Sequence, residues 1–263
     1  MPFPFPVSHS QITTYQECPL KFHNKYRRKG QRPLEEHTIA MDRGTSVHKV
    51  IEKYMKEEAP EDTTHLVTGL DKEGKAMFKH WLAVCYPSLP NSSDMTIYTE
   101  RKFNAYLHNY PLMGYMDLFW VDDTGEPPYT AYVCDIKTGS SLYFLEQRLW
   151  FSLQPDIYGI LARENVGCER VMWIQHNVSA DGASIQEREV LLTPDRERTL
   201  LYWLDKLDED CAQPIESYKC GQCPYFADCE GRLRMGNRPL WTPSTTVEVE
   251  NEVSHMWHSD EVD

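Results

Sequence analysis

Two short fragments carry the chemistry of this chain, Gly114-Tyr-Met-Asp117 and Asp135-Ile-Lys137-Thr-Gly139. Both lie in stretches rich in aromatic and β-branched residues, which read as neighbouring strands of a hairpin. Two carboxylates and a lysine brought together can hold a divalent metal and activate a water beside it, as phosphodiester hydrolysis requires. Magnesium and manganese take oxygen ligands in octahedral geometry. Asp117 and Asp135 supply two carboxylates if the strands pair and both point to one side. Side chains alternate along a strand, so Ile136 points to the opposite face with its carbonyl free for a metal, and Lys137 returns to the side of Asp135. There its side chain can orient or deprotonate a water and offset charge on a phosphate. A lone D-x-K on a strand is more often half of a surface salt bridge. The Gly-x-x-Asp on the preceding strand gives this one its weight.

The elements that must position these groups follow from periodicity. Residues 8–28 read as a helix starting near Ser8 or Ser10 and bent where Pro19 follows Cys18. After a polar loop over 31–43, a second helix runs from Gly44 to about Glu58, its buried face marked by Val47, Val50, Ile51 and Tyr54. His48 sits at the border of that stripe, where a histidine is usually just a satisfied or solvent-facing residue. A third helix spans about Leu70 to Tyr86.

Strands follow at Tyr98–Leu107, Met113–Val121 and Tyr129–Ile136, with turns between them, as an antiparallel meander. A long helix, about Leu142 to Glu164, contains Pro155, which kinks or restarts it. Gln154 and Tyr158 lie one turn apart on a single face of it. Two more strands (Val171–Asn177 and Ile185–Leu192) and a helix from Pro194 to about Asp210 complete the order. The sum is an α/β sheet flanked by helices.

Composition narrows the function classes. At 263 residues and 41% hydrophobic, the chain can bury an ordinary core. No apolar run reaches the roughly 18 residues of a membrane span, and Met1-Pro-Phe-Pro-Phe-Pro6 lacks the basic start of a signal peptide. Eight cysteines are too few for a secreted disulfide scaffold, so a reducing cytoplasm is expected, where clustered cysteines are metal ligands more often than disulfides. Such a cluster stands in Cys220-x-x-Cys223-Pro224-x4-Cys229. A net charge of −13 argues against a nonspecific grip on nucleic acid. The basic residues nevertheless concentrate near the start, at Lys21, Lys25, Arg27, Arg28, Lys29 and Arg32, and Tyr26 lies among them. With Lys25, Tyr26, Arg27 and Arg28 at its centre, this segment is a candidate lining for a DNA strand, or simply a solvated face.

Taken in order, the fragments resemble the RecB-type nucleases of the PD-(D/E)XK superfamily. The likeness is to the iron–sulfur branch that includes CRISPR-associated adaptation nucleases and the nuclease domain of AddB. The resemblance rests on Ser10-Gln-Ile-Thr-Thr-Tyr15-Gln-Glu-Cys18-Pro19, Arg43-Gly44-Thr-Ser-Val-His48, the two strand fragments, Gln154-x3-Tyr158, and the cysteine cluster. It implies a restriction-endonuclease-like core, a central mixed sheet flanked by helices, with a helical iron–sulfur region built from both termini. By position it makes His48, Asp117, Asp135 and the Ile136 carbonyl metal ligands for Mg²⁺ or Mn²⁺, and Lys137 the catalytic lysine. Gln154 and Tyr158 become the accessory motif, and Glu100 is a further candidate. Cys18 joins Cys220, Cys223 and Cys229 around a 4Fe–4S cluster, with zinc the alternative that a four-cysteine site admits by ligand count.

The implied layout is an N-terminal helical segment (1–43), a nuclease core (44–212), a cluster segment (213–236) and an acidic tail (237–263). The implied activity is a single-strand-preferring DNA exonuclease of 5′-to-3′ polarity, or an end-trimming subunit of a CRISPR-adaptation or recombination complex. The chain has no phosphate-binding G-x-x-x-x-G-K-[ST] loop, so unwinding would need a helicase partner, and spacer acquisition an integrase. A metal-stapled adaptor without catalysis is the reading from another class.

Overall fold

The computed structural model describes residues 5–27, 38–57, 59–91, 95–124, 128–209, 212–215, 217, 219–220, 223–226 and 229, without side chains over 148–151. Arg28, the rest of the basic segment beyond it (Lys29 and Arg32), and the acidic tail at 237–263 lie outside the described residues.

One five-stranded sheet organises the chain in the order β1-β2-β3-β4-β5: Tyr98–Leu107, Tyr110–Asp122, Thr130–Thr138, Arg170–Ser179 and Gly182–Glu189. The first three strands form the expected antiparallel meander. β4 then runs parallel to β3, and β5 returns antiparallel to β4. The sheet is therefore mixed. The parallel step needs a crossover, which two helices provide, α5 (Leu142–Phe151) and α6 (Gln154–Val166).

These two helices replace the single long one expected from Leu142 to Glu164. The break falls at residues 152–153, and the second helix restarts with Pro155 in its first turn. The absent N–H of proline costs nothing there, because first-turn amides lack helical partners anyway. The third expected helix is α4 (Lys72–His80), which loosens into a π-helical turn over Trp81–Cys85 and a short 3-10 turn. Helix α3 (Ile39–Lys56) starts earlier than expected because Thr38 caps it, accepting from Met41 N–H at 3.2 Å. The last strand ends at Glu189, short of Leu192.

Pro19 divides the first helix as anticipated, into α1 (His9–Glu17) and a short α2 (Pro19–Phe22) that passes into a π-helical turn, His23–Arg27. A final helix, α7 (Pro194–Asp208), closes the described order.

Each sheet face buries its own core. On one side Ile12, Phe22, Leu112, Met116, Phe119, Val133, Leu161, Trp173 and Leu204 join β-strands to α1, α2, α6 and α7. On the other, Val47, Ile51, Phe78, Trp81, Leu118, Trp120, Ile136 and Ile174 join them to α3 and α4. Along β2 the even-numbered side chains change face: Leu112 and Met116 belong to the first core, Leu118 and Trp120 to the second. A regular strand cannot do this, since its period is two. The phase slips at Asp117.

Candidate functional site

The slip at Asp117 is matched on both neighbouring strands. The β1–β2 ladder pairs Thr99 with Leu118 and resumes at Arg101 with Met116, skipping Glu100 and Asp117. Glu100 has a φ of 48°, the left-handed region that a residue with a Cβ enters only at a cost. On the other side the β2–β3 ladder stops at Leu118–Cys134. Beyond it the two strands part, and the Asp117 carboxylate, not a β2 carbonyl, accepts the Ile136 N–H at 2.7 Å. The carboxylates thus stand at a local opening in an otherwise continuous sheet.

Two side chains gather around Asp117. Ligand atoms of His48, Glu100 and Asp117 all lie within 4.8 Å of one another, and His48 Nδ1 is 3.7 Å from Asp117 Oδ2. The His48 ring also hydrogen-bonds the Ile136 backbone. Helix α3 delivers His48 because it can approach the sheet closely at Gly44. A Cβ there would come within 2.7 Å of Thr138 Oγ1 at the end of β3.

The electrostatics are those of a cation site. Burial, with the nearby Asp135 carboxylate, pushes the Asp117 carboxyl up to about 7. Burial, then Asp117 and Glu52, raises Glu100. Burial lowers His48, favouring the neutral imidazole that ligates metals. Crowded, desolvated acids of this kind are relieved by a divalent ion.

Asp135 is occupied differently. It is 4% exposed, and the Lys137 ammonium lies 2.9 Å from its Oδ1 and 2.7 Å from its Oδ2. Gln154 donates its Nε2–H to Asp135 Oδ1 at 2.7 Å. The two aspartates expected to act on one side lie beside each other and differ in their remaining partners. Asp117 faces His48 and Glu100; Asp135 holds the lysine and the glutamine.

Tyr158 lies beside Gln154 and near both aspartates. Its hydroxyl donates to the Tyr115 carbonyl at 2.9 Å, which fixes β2 two residues before Asp117. Gly114 makes room for it, since a Cβ there would meet Tyr158 Cε1 at 2.7 Å. The Gly-x-x-Asp spacing therefore couples a packing requirement to the placing of a carboxylate.

Gln154 is placed by a clamp that the sequence did not announce. Ser152 Oγ accepts the Gln154 N–H at 3.1 Å. Arg196, on α7, donates to the Ser152 carbonyl at 2.9 Å and pairs with Asp156, which is 4% exposed. His9, the first residue of α1, completes the turn: its Nε2 is 3.4 Å from Ser152 Oγ and 3.2 Å from Thr13 Oγ1. Burial, with the Lys137 ammonium, lowers the imidazole to about 4, so it is neutral at physiological pH. Hydrogen bonds thus run from His9 through Ser152 and Gln154 to Asp135. His9 and Arg196 join the site only through tertiary contacts, which no local motif signals.

The described part of the basic segment is half-buried. Arg27 donates to the Leu207 carbonyl on α7 at 2.5 Å, and the Tyr26 ring lies 5.3 Å from Phe22. Lys25 lies 5.6 Å above the Tyr26 ring.

At the far end of α1, Cys18 is the C-cap residue. The Ile215 N–H points to its Sγ at 3.5 Å, and Cys220 Sγ lies 3.9 Å from the Ile215 carbonyl. Burial pushes the Cys223 thiol up, and the neighbouring Cys18 and Cys229 add to the shift. All four thiols are free. Lys219 and Glu17 pair at 2.5 Å beside them. Cys18 thus lies near the segment that carries Cys220, Cys223 and Cys229.

Residues 6–230 match the sequence profile of the PD-(D/E)XK nuclease superfamily. Among solved structures, a Eubacterium rectale protein described as a candidate exonuclease aligns over 90% of both chains at 13% identity, with a TM-score of 0.47. The protein SSO0001 aligns over 86% of this chain and 98% of its own at 14% identity, with a TM-score of 0.37. None of the curated proteins compared matches the chain. Among the described residues no helix is long and apolar enough to cross a membrane.

Proposed function

The chain belongs to the PD-(D/E)XK nuclease superfamily, and from that membership we propose that it is a DNA nuclease that works on single strands or ends as an exonuclease. The observation that carries the reading is the convergence of His48, Glu100 and Asp117 within 4.8 Å beside the Asp135–Lys137 pair.

His48, Glu100 and Asp117 would hold a divalent cation, Mg²⁺ or Mn²⁺, with the Ile136 carbonyl as a further donor. When bound, that ion polarises the phosphate and lowers the pKa of an attacking water. The chain's own groups do the rest. Asp135 fixes the Lys137 ammonium, which sets a positive charge against the phosphate as negative charge builds on its oxygens. Gln154 holds Asp135 in place, and Tyr158 holds the strand that presents Asp117. Polarity from 5′ to 3′ is suggested by the family resemblance alone. A helicase or integrase partner belongs to the same proposal and is tested by copurification.

The experiment is cleavage of 5′- and 3′-labelled single-stranded, duplex and closed circular DNA with Mg²⁺ or Mn²⁺, comparing wild type with Asp117→Ala and Lys137→Ala. Degradation by wild type alone supports the nuclease, and the labels report polarity and end requirement. Binding without cleavage by folded, metal-replete protein would favour the adaptor reading.

We propose further that Cys18, Cys220, Cys223 and Cys229 bind a 4Fe–4S cluster, with zinc as the alternative. Closing a loop of about 200 residues has an entropic scale of roughly 4–5 kcal/mol, so such a centre would act as a structural staple. Visible absorption and iron, sulfide and zinc content distinguish the two. Cys223→Ala with unchanged metal content and melting temperature would remove the staple.

A further inference from the structure

The outer face of the β1–β2 hairpin begins where the metal site ends. Past Glu100, β1 buries Phe103, Ala105 and Leu107 and turns Lys102, Asn104 and Tyr106 to solvent. On β2, Leu112, Gly114 and Met116 are buried, while Tyr115 faces out. Register places Lys102 directly opposite Tyr115, and Tyr106 opposite Pro111. The Lys102 ammonium lies 5.9 Å from the centre of the Tyr115 ring. Tyr115 is 49% exposed and Tyr106 69%. Strict alternation lines these groups up along one face. At about 3.4 Å per residue, Tyr115 stands roughly 7 Å from Asp117, and the two rings stand about 14 Å apart along the strands.

We propose that this face is the track for a single-stranded DNA tail, with one base stacked on Tyr115 beside the scissile phosphate, a later base on Tyr106, and Lys102, opposite Tyr115, at a backbone phosphate next to the first base. The proposal rests on the nuclease reading. Single strands bind through aromatic faces that stack on unpaired bases and through cations that follow the backbone. Both kinds of group are here, and the track runs unbroken from the Glu100–Asp117 pair, where the cleaved phosphate must sit. A duplex keeps its bases stacked inside and cannot offer them to Tyr115 or Tyr106. Among the described residues no carboxylate is paired with Lys102, which leaves its charge for an incoming phosphate. With a net charge of −13, long-range attraction is weak, so stacking supplies most of the discrimination for single strands.

The test uses the full chain and a fluorescein-labelled oligo-dT, compared with a duplex of equal length. Anisotropy in EDTA reads binding without cleavage. Steady-state cleavage with Mn²⁺ reads kcat and KM, and thymidine 5′-(p-nitrophenyl phosphate), too short to reach Tyr106, reads the chemistry alone. Tyr106→Ala and Tyr115→Ala are each expected to weaken oligonucleotide binding about 5- to 100-fold and to raise KM in step. Phenylalanine at either position should restore binding. Lys102→Glu should also weaken binding and flatten its salt dependence. Hydrolysis of the small ester by Tyr106→Ala, and the melting temperatures of all variants, should match wild type. A Tyr106→Ala/Tyr115→Ala double variant that binds and cuts the oligonucleotide like wild type would overturn the track. A wild type that cuts neither substrate would count against the nuclease reading, while the anisotropy still decides the track on its own.

Discussion

Strand β3 has two edges, and they behave in opposite ways. Against β4 it stays paired from Thr130–Arg170 to Thr138–Val178. Against β2 it lets go after Leu118–Cys134. The closed edge is backed by a buried polar chain in which Gln175 donates to the Leu145 carbonyl (3.3 Å) and to Asn177 (2.7 Å), and Asn177 donates to Gln186 at 3.0 Å. The open edge exposes Asp117, Asp135 and the Ile136 backbone to one another and to His48. Reactive groups need space and unshared valence, and the closed edge supplies the stiffness that keeps that space in shape. One strand carries both roles by changing partners along its length.

Substitutions on the two edges should separate activity from stability. At the open edge, Lys137→Ala should lower kcat by about 10²–10⁴-fold, with melting temperature near wild type. Full retention of activity in Lys137→Ala would dissolve the distinction. Gln154→Ala, one bond removed, should cost about 10–100-fold in Mn²⁺ affinity or in kcat, read by titration of the bound metal and by cleavage of labelled DNA.

At the closed edge the signs reverse. Asn177→Ala leaves buried partners unsatisfied and should cost about 1–3 kcal/mol of stability, measured by urea unfolding, while kcat of the remaining folded protein holds. A large drop in kcat there would show that the two edges are not independent.

The smallest effect is also the most diagnostic. The Asp117 carboxyl is raised to about 7 in the fold, against about 3.9 in an unfolded chain. The folded state therefore keeps this proton more readily. Its contribution is favourable below about pH 4 and is lost as pH rises to 7. Asp117→Asn should accordingly raise the melting temperature of the metal-free protein at pH 8 by a few degrees, with little change at pH 4. Added Mn²⁺ should stabilise wild type and not the variant. The opposite pH trend would mean that Asp117 is not held in a crowded acidic site.

Much of this site was legible because its candidate ligands sit in short runs whose spacing is itself structural. Gly114 and Asp117 are three apart because Tyr158 needs the space that a glycine leaves, and Gly44 lies four before His48 because α3 must touch Thr138. The parts that were not legible depend on distant chain segments. Pro155 announced a kink or restart in the long helix, but the place of the break at residues 152–153 follows from Arg196, reaching from α7 to the Ser152 carbonyl. His9 lies 143 residues from Ser152. Periodicity alone left Glu100 as one polar residue on an alternating strand, because a positive φ leaves no trace in it, and only the family resemblance marked it as a candidate. The mixed sheet was expected from the family resemblance, but periodicity did not say that β3 and β4 form its parallel pair, since strand direction follows from where the crossover helices pack.

Glu100 ends the matter with a conflict of interest between backbone and side chain. An L-residue at φ 48° gives up on the order of 1 kcal/mol that glycine would keep. Glu100→Gly should therefore yield a protein that is equally or more resistant to urea and poorer at binding Mn²⁺. Selection for folding alone would settle on glycine here. A carboxylate at such a position is better explained by what it can bind than by what it holds together, and screens that reward thermostability would be expected to erode this residue early.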